Sequence, residues 1–197
     1  MLRGISAAAG LLALAGGLIA ATWSGPAEAE VRSNIRYSGY PVHGTTAPEI
    51  WRDIGRKGPH QPENGLYAQA EAEIRFGWNV AFAKTQSSCR VKSAVVNVDV
   101  NILLPNWTDK ARGSQALRQA WNAYIVKVRR HEDHHKDIAL AAAKQIDRSI
   151  MATPAHRSCE SLERAIKAKT DKILARERAQ QAHFDRTDRP IMLTGGR

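Results

Sequence analysis

Apolar positions in this chain follow two different periods, and the change from one to the other divides it into a β half and an α half. In "CRVKSAVVNVDVNILLP" Val96, Val98, Val100 and Ile102 alternate with Asn97, Asp99 and Asn101, the strongest strand signal in the chain. Just before it, "LYAQAEAEIRFGWNVAF" places Ile74, Phe76, Trp78 and Val80 on one face, with Gly77 on the other as a candidate bulge or close approach. "KTQSS" between them reads as a hairpin connection, and two such strands in succession favour antiparallel pairing. Pro105 closes the β half. Further upstream, "VRSNIRYSGYPVHG" holds a short extended segment around Tyr37–Val42, interrupted by Gly39, Pro41 and Gly44, and predicts an edge strand at most. "TTAPEIWRDIGRKGP" predicts a helix capped by Thr45 or Thr46, with Pro48 in its first turn and Ile50, Trp51 and Ile54 on one face, ended by Gly55 and Gly58-Pro59. "HQPENG" is expected to be a loop and "NWTDKARG" a loop or short turn.

Beyond Ser114 the period becomes helical. One helix is expected from Ser114 to about Ile150, stopped by Thr153-Pro154. A second starts near Ser158, capped by Ser158 or Ser161, and runs into "ARERAQQAHF". The tail "DRTDRPIMLTGGR" is expected to be irregular. The fold class implied is α+β, a small antiparallel or mixed sheet packed on a long helix and a C-terminal helix.

The N-terminus changes the context in which these elements are read. Met1-Leu2-Arg3, the apolar "GISAAAGLLALAGGLIAATW" and "SGPAEAE" have the layout of a secretory signal with cleavage after Ala29. The organisation expected is therefore a signal over 1–29, one domain over 30–185 and a tail over 186–197. A Gly/Ala-rich run ending in a cleavage site argues against a lasting membrane anchor, so the protein is expected to be periplasmic or secreted. In an oxidising compartment, Cys89 and Cys159 are expected to form a disulfide closing a loop of about 70 residues. Removing Arg3 and Glu28 with the signal leaves the net charge at +10. The basic residues are scattered and no aromatic platform for bases accompanies them, so nucleic acid is not an expected partner.

Candidate chemistry lies in "VRRHEDHHKDIALAAA", which holds three of the seven histidines. Leu117, Trp121, Tyr124, Val128, His131, His135, Ile138 and Ala142 follow one another at steps of four and three, a continuous helix face. His131 and His135 are thus expected on the core side, and Asp133, His134 and Lys136 off it. Two histidines four apart present both imidazoles on one side of a helix, where they can bind one metal ion. Glu132, next to the first, can serve a metal-activated water without taking a coordination position, so His131, Glu132 and His135 satisfy H-E-x-x-H. Asp137 is a candidate hydrogen-bond partner for a ligand imidazole. The bland alternative is a pair of hydrogen-bonded core histidines.

Taken in order, "YPVHGTTAPEIWRDIGRKGP", "AEIRFGWNV", "CRVKSAVVNVDVNILLPNW", "WNAYIVKVRRHEDHHKDIA" and then Cys159 resemble a bacterial family of predicted secreted zinc-dependent proteases, a domain of unknown function. The resemblance covers roughly residues 37–185. It implies a zincin-like setting, a mixed sheet on an active-site helix, with a zinc ion, Zn2+, as cofactor and a peptide or protein as substrate. The family's pattern ends with an aromatic-Asp pair, a Thr and then His-Gly. Phe184-Asp185 and Thr187 match the first parts, but "DRPIMLTGG" stands where His-Gly would come. If that histidine is the family's third ligand, this chain takes another, and His183 is the first candidate, with Asp185 and Glu177 as alternatives. The expected chemistry is peptide-bond hydrolysis by zinc-activated water, with Glu132 as general base. Tyr40 and Tyr67 are unsupported candidates for an oxyanion donor, and Tyr124, two turns before His131 on the same face, is expected in the core. The alternative reading is a non-catalytic periplasmic metal-binding or envelope-interaction protein on the same scaffold.

Overall fold

The structure, a computed structural model, describes residues 29–61 and 65–194. Of the segment read as a signal, 1–29, all but Ala29 lies outside the described residues. Strand β1 spans Ala29–Val42, helix α1 Ala47–Lys57, and two short strands β2 and β3 His60–Gln61 and Leu66–Tyr67. Strand β4 spans Glu71–Lys84 and β5 Cys89–Trp107, followed by a 3-10 turn, Lys110–Arg112. Helices α2, Gln115–Met151, and α3, Cys159–Thr187, complete the chain.

β5 is the middle strand of a three-stranded sheet ordered β1-β5-β4. Its alternation is the reason. Val96, Val98, Val100 and Ile102 are at most 1% exposed and point at the helices, while Asp99 on the opposite face is exposed. β4 pairs with it antiparallel, joined by the expected turn, in which the Thr85 amide donates to the Ser88 carbonyl at 2.7 Å. The irregularity in this pairing falls between Ala81 and Phe82 rather than at Gly77, which pairs in register with Asn97.

Three sequence expectations change here. β1 is a 14-residue strand, not a short stub at Tyr37–Val42, and it pairs parallel to β5 from Ala29↔Ala94 to Val42↔Trp107. The sheet is therefore mixed. Pro105 does not end β5, which continues to Trp107; β4 stops pairing at Leu103, and a residue without an amide hydrogen is tolerated where only one neighbour remains. "HQPENG" opens with β2, which forms a small hairpin with β3.

The helices follow the sequence closely. Thr46 caps α1, and Gly58 ends it where a Cβ would stand 2.0 Å from the Ala68 carbonyl oxygen. Ser114 caps α2, accepting from the Leu117 amide at 3.2 Å. Ser158 caps α3 with Ser161 reciprocating, so both candidate residues take part in one capping box. α2 lies across the apolar face of the sheet and α3 packs on α2. Two clusters result. One joins β5 to Ala139, Ala142, Ala143, Ile146 and Ile150 of α2 and to Leu162, Ile166 and Ile173 of α3. The other gathers Tyr40, Val42, Ile50, Ile54, Trp107, Leu117, Trp121, Tyr124 and Val128. The tail expected to be irregular from Asp185 is helical through Thr187 and without regular structure over 188–194, where Leu193 is buried in the second cluster and Ile191 packs against it. Cys89 and Cys159 form a disulfide. Among the described residues no helix is long and apolar enough to cross a membrane.

Candidate metal centre

The candidate site lies on α2 between the two clusters. The sequence places His131 and His135 on the buried stripe, but the deepest line passes beside them, through Val128, Glu132, Ala139 and Ala143. Glu132 is 5% exposed, whereas the His131 and His135 side chains keep 21% and 12%. Helix geometry explains the offset. Steps of three and four average 3.5 residues per turn, and a straight helix drifts by about 20° per heptad against that repeat. From Leu117 to His131 that amounts to about 40°, well under the roughly 100° of one position, which sets His131 at the edge of the buried stripe, and both imidazoles lie on its open side. They face a cleft of about 590 Å³ whose walls include Trp51, Gln69, Glu71, Ala72, Glu132, Asp185, Asp188 and Ile191.

Each imidazole is held by its far nitrogen. His131 Nδ1 lies 2.8 Å from Asp188 Oδ2, and His135 Nδ1 lies 2.6 Å from Gln181 Oε1. The Gln181 amide is oriented independently, since its Nε2 donates to the His135 carbonyl at 3.1 Å and to Glu177 at 2.7 Å. Its oxygen must then accept, which places hydrogen on His135 Nδ1. Asp188, a carboxylate, demands the same of His131 Nδ1, and that bond holds its own carboxyl below the ordinary value. Both Nε2 atoms are left with lone pairs, and those atoms lie 3.1 Å apart. Asp185 Oδ1 closes on them at 2.9 Å from His135 and 3.4 Å from His131.

Three acceptor atoms converging in this way repel one another unless positive charge lies among them. A proton would satisfy one pair. A metal ion would satisfy all three, and ligand atoms around tetrahedral zinc are separated by about 3.3 Å, the spacing seen here. Holding a ligand imidazole by its far nitrogen is the usual companion of metal binding. Among the described residues, His131, His135 and Asp185 form a group that could hold a metal, with ligand atoms within 4.8 Å of one another.

The other candidates fall elsewhere. His183 is exposed and outside this group, because two residues beyond Gln181 is about 200° around the helix. Glu177 is buried and orients Gln181 instead of approaching the imidazoles. Asp137 is exposed beside Lys136 at 3.6 Å, and the roles imagined for it belong to Asp188 and Gln181. Asp133 and Lys136 are not freely solvated: Lys136 pairs with Asp133 at 2.9 Å, and Asp133 accepts from Tyr37 of β1. His134 is exposed and packs on Phe184, which also stacks on His131 at 4.7 Å and meets His135 edge-on at 5.1 Å.

Glu132 reaches the same cleft from its buried position. Burial pushes its carboxyl up to about 7; His131 opposes the rise, Asp185 and Glu71 add to it, and the Ala72 amide, donating to Glu132, also opposes it. A cation in the site would draw that value down again. Residues 37–192, the span that contains every group named above, match the model of a family described as a bacterial protein of unknown function, DUF922. The chain belongs to that family. No curated protein and no solved structure matches it.

This DUF922 protein therefore brings together His131, Glu132, His135 and Asp185 as its candidate site, sets Phe184 of the aromatic-Asp pair against both imidazoles, and adds Gln181 and Asp188, which sequence reasoning passed over. Gln181 had a signal, four residues after Glu177 on the same face of α3. Asp188 had none, since it belongs to the segment read as an irregular tail.

Proposed function

We propose that this protein is an exported, zincin-like metalloprotease that hydrolyses peptide bonds, with zinc held by His131, His135 and Asp185. The observation that carries this reading is the convergence of three lone-pair-bearing atoms, with both imidazoles held by their far nitrogens. The buried carboxylate of Glu132 in the same cleft gives the site a group of the right kind to move protons. Two imidazoles and a carboxylate suit zinc and leave a coordination position open. The disulfide fits an oxidising compartment and supports export.

Bound zinc would supply Lewis acidity at the reacting carbonyl and water. The protein's own part is proton transfer and placement. Glu132 takes a proton from the attacking water as its oxygen bonds to the carbonyl carbon, then delivers it to the amide nitrogen as the C–N bond breaks. The products are a carboxylate and an amine. Asp188 and Gln181 keep both imidazoles in the tautomer that faces the cleft with a lone pair.

The test is metal content beside activity. The purified protein should hold about one zinc per chain, as structural and catalytic sites of this ligand type do, and the His131→Ala/His135→Ala variant none. Glu132→Gln should keep the zinc and lose peptide hydrolysis by about 10²–10⁴-fold. Failure to take up micromolar zinc would make the imidazoles a hydrogen-bonded core pair and end the protease reading. Zinc uptake with no effect of Glu132→Gln would favour a metal-binding protein without this chemistry.

A further inference from the structure

The cleft is rich in acceptors, and besides the imidazoles and Gln181 its side-chain donors are those of Trp51, Gln61, Tyr67, Gln69 and Arg189. Glu71, Glu132, Asp185 and Asp188 are carboxylates, and both amide hydrogens of Gln181 are engaged. Hydrolysis of an acyl compound needs a donor where the carbonyl oxygen gains negative charge. Gln69, in the wall segment between β3 and β4, is built to provide one. Two buried tyrosines converge on it: Tyr40, 8% exposed, donates its hydroxyl to the Gln69 carbonyl at 2.7 Å, and Tyr124, 2% exposed, donates to Gln69 Oε1 at 2.9 Å. With Oε1 turned to Tyr124, Nε2 takes the opposite corner of the amide. It has no hydrogen-bond partner among the described residues, and it is not sealed from solvent. The reverse orientation would set the amide hydrogens on Tyr124 and leave the buried tyrosine proton without an acceptor, which costs more. Three residues further on, the amide of Ala72 reaches Glu132, so one short segment carries both groups.

We propose that the Gln69 side-chain amide hydrogen-bonds the carbonyl oxygen of the bond to be cleaved, making the ligand class an acyl compound with that oxygen directed at the β3–β4 wall. This rests on the hydrolase reading above. Tying down two tyrosines would account for Gln69 Oε1 and its carbonyl, but not for a partnerless Nε2 open to solvent on a residue that lines the cleft.

Gln69→Glu separates the two roles, since it keeps an oxygen for Tyr124 and removes the donor. Gln69→Met removes both without adding charge. The probe is acetohydroxamate, a chelating acyl compound, titrated calorimetrically into the zinc-loaded protein. Both variants are expected to hold zinc as the wild type does and to bind acetohydroxamate about tenfold more weakly, the effect of one lost hydrogen bond. Gln69→Glu should also keep the wild-type Tm, and any peptide the wild type cleaves should show the loss in kcat. Wild-type acetohydroxamate affinity in both zinc-loaded variants would overturn the assignment of Gln69 and leave the metal site standing. A wild-type protein that takes up no zinc would overturn the hydrolase reading and Gln69's role with it.

Discussion

The two halves of α2 are held in place by different physics. Its C-terminal half presents Ala139, Ala142, Ala143, Ile146 and Ile150 to a sheet face of valines, a contact of small and branched side chains that brings helix and strand close together. Backbone hydrogen bonds exchanged by Cys89 and His156 close the end of this half, and the Cys89–Cys159 disulfide joins the start of β5 to the start of α3 beside it. The N-terminal half presents Trp121 and Tyr124, whose rings pack at 5.3 Å and meet Trp107 and Trp51 at 5.6 and 6.3 Å. Large rings leave a less regular surface, and polar groups close it. Trp107 Nε1 donates to the Gly44 carbonyl at 2.8 Å, Asp53 receives the His43 amide, and the two tyrosines hold Gln69. Gly44, at φ +138, adopts a conformation that suits glycine. His131, Glu132 and His135 stand at the junction, on a helix fixed from below by aliphatic packing and beside a wall fixed by hydrogen bonds. Such a junction sets ligating side chains on a rigid element, where they are held most precisely, beside a polar wall.

If the C-terminal half is the covalently secured one, removing the bridge should produce the largest loss. Cys89→Ser/Cys159→Ser opens a loop of 70 residues and is expected to cost about 4 kcal/mol in urea unfolding. The near-UV circular dichroism of the tryptophan cluster should survive in the folded double variant. Loss of that signal before unfolding would show that the aromatic half depends on the bridge too.

The polar half should answer to pH instead. Asp53 is 6% exposed, and burial by itself would raise its carboxyl; Lys57 at 2.8 Å, the His43 amide at 2.8 Å and Arg56 at 3.3 Å outweigh that and hold it below the ordinary value. A depressed carboxyl stabilises the fold above the unfolded-state pKa, and that contribution disappears as pH falls through the folded-state value. Asp53→Ala is therefore expected to cost about 2 kcal/mol at pH 7. Its deficit against the wild type should shrink steadily below about pH 4, the ordinary Asp range. A deficit unchanged at pH 3 would mean that Asp53 acts through packing.

The same division explains what the sequence made visible. Both long helices, their serine caps and the β4–β5 hairpin depend on neighbours close in the chain, and their patterns announced them. The length and direction of β1 did not show. From residue 32 to 39 it is exposed, so it carries no alternation of burial, and its partner β5 lies more than sixty residues away. The site was half legible for a similar reason. His131, Glu132 and His135 share one helix, whereas Asp185, Gln181 and Asp188 meet them only because α3 packs back on α2. The exposed His183 attracted attention through its residue type, but the angle around α3 decides in favour of Asp185.

The smallest effect tests whether the aliphatic half is ordered by its packing or by its bridge. Ile146 is fully buried against this core, and Ile146→Val deletes one methylene, worth about 1 kcal/mol when the surroundings cannot collapse. The substitution should be made twice, with the disulfide intact and in the Cys89→Ser/Cys159→Ser protein. If close packing of α2 on β5 orders this half, the methylene is equally well surrounded in both, and the two costs should agree within about 0.5 kcal/mol, as for independent sites. If the bridge is what presses the layers together, the unbridged core will be loose enough to absorb the lost group. The cost would then fall towards zero in the double-serine background, and the aliphatic half, like the aromatic one, would owe its order to specific ties.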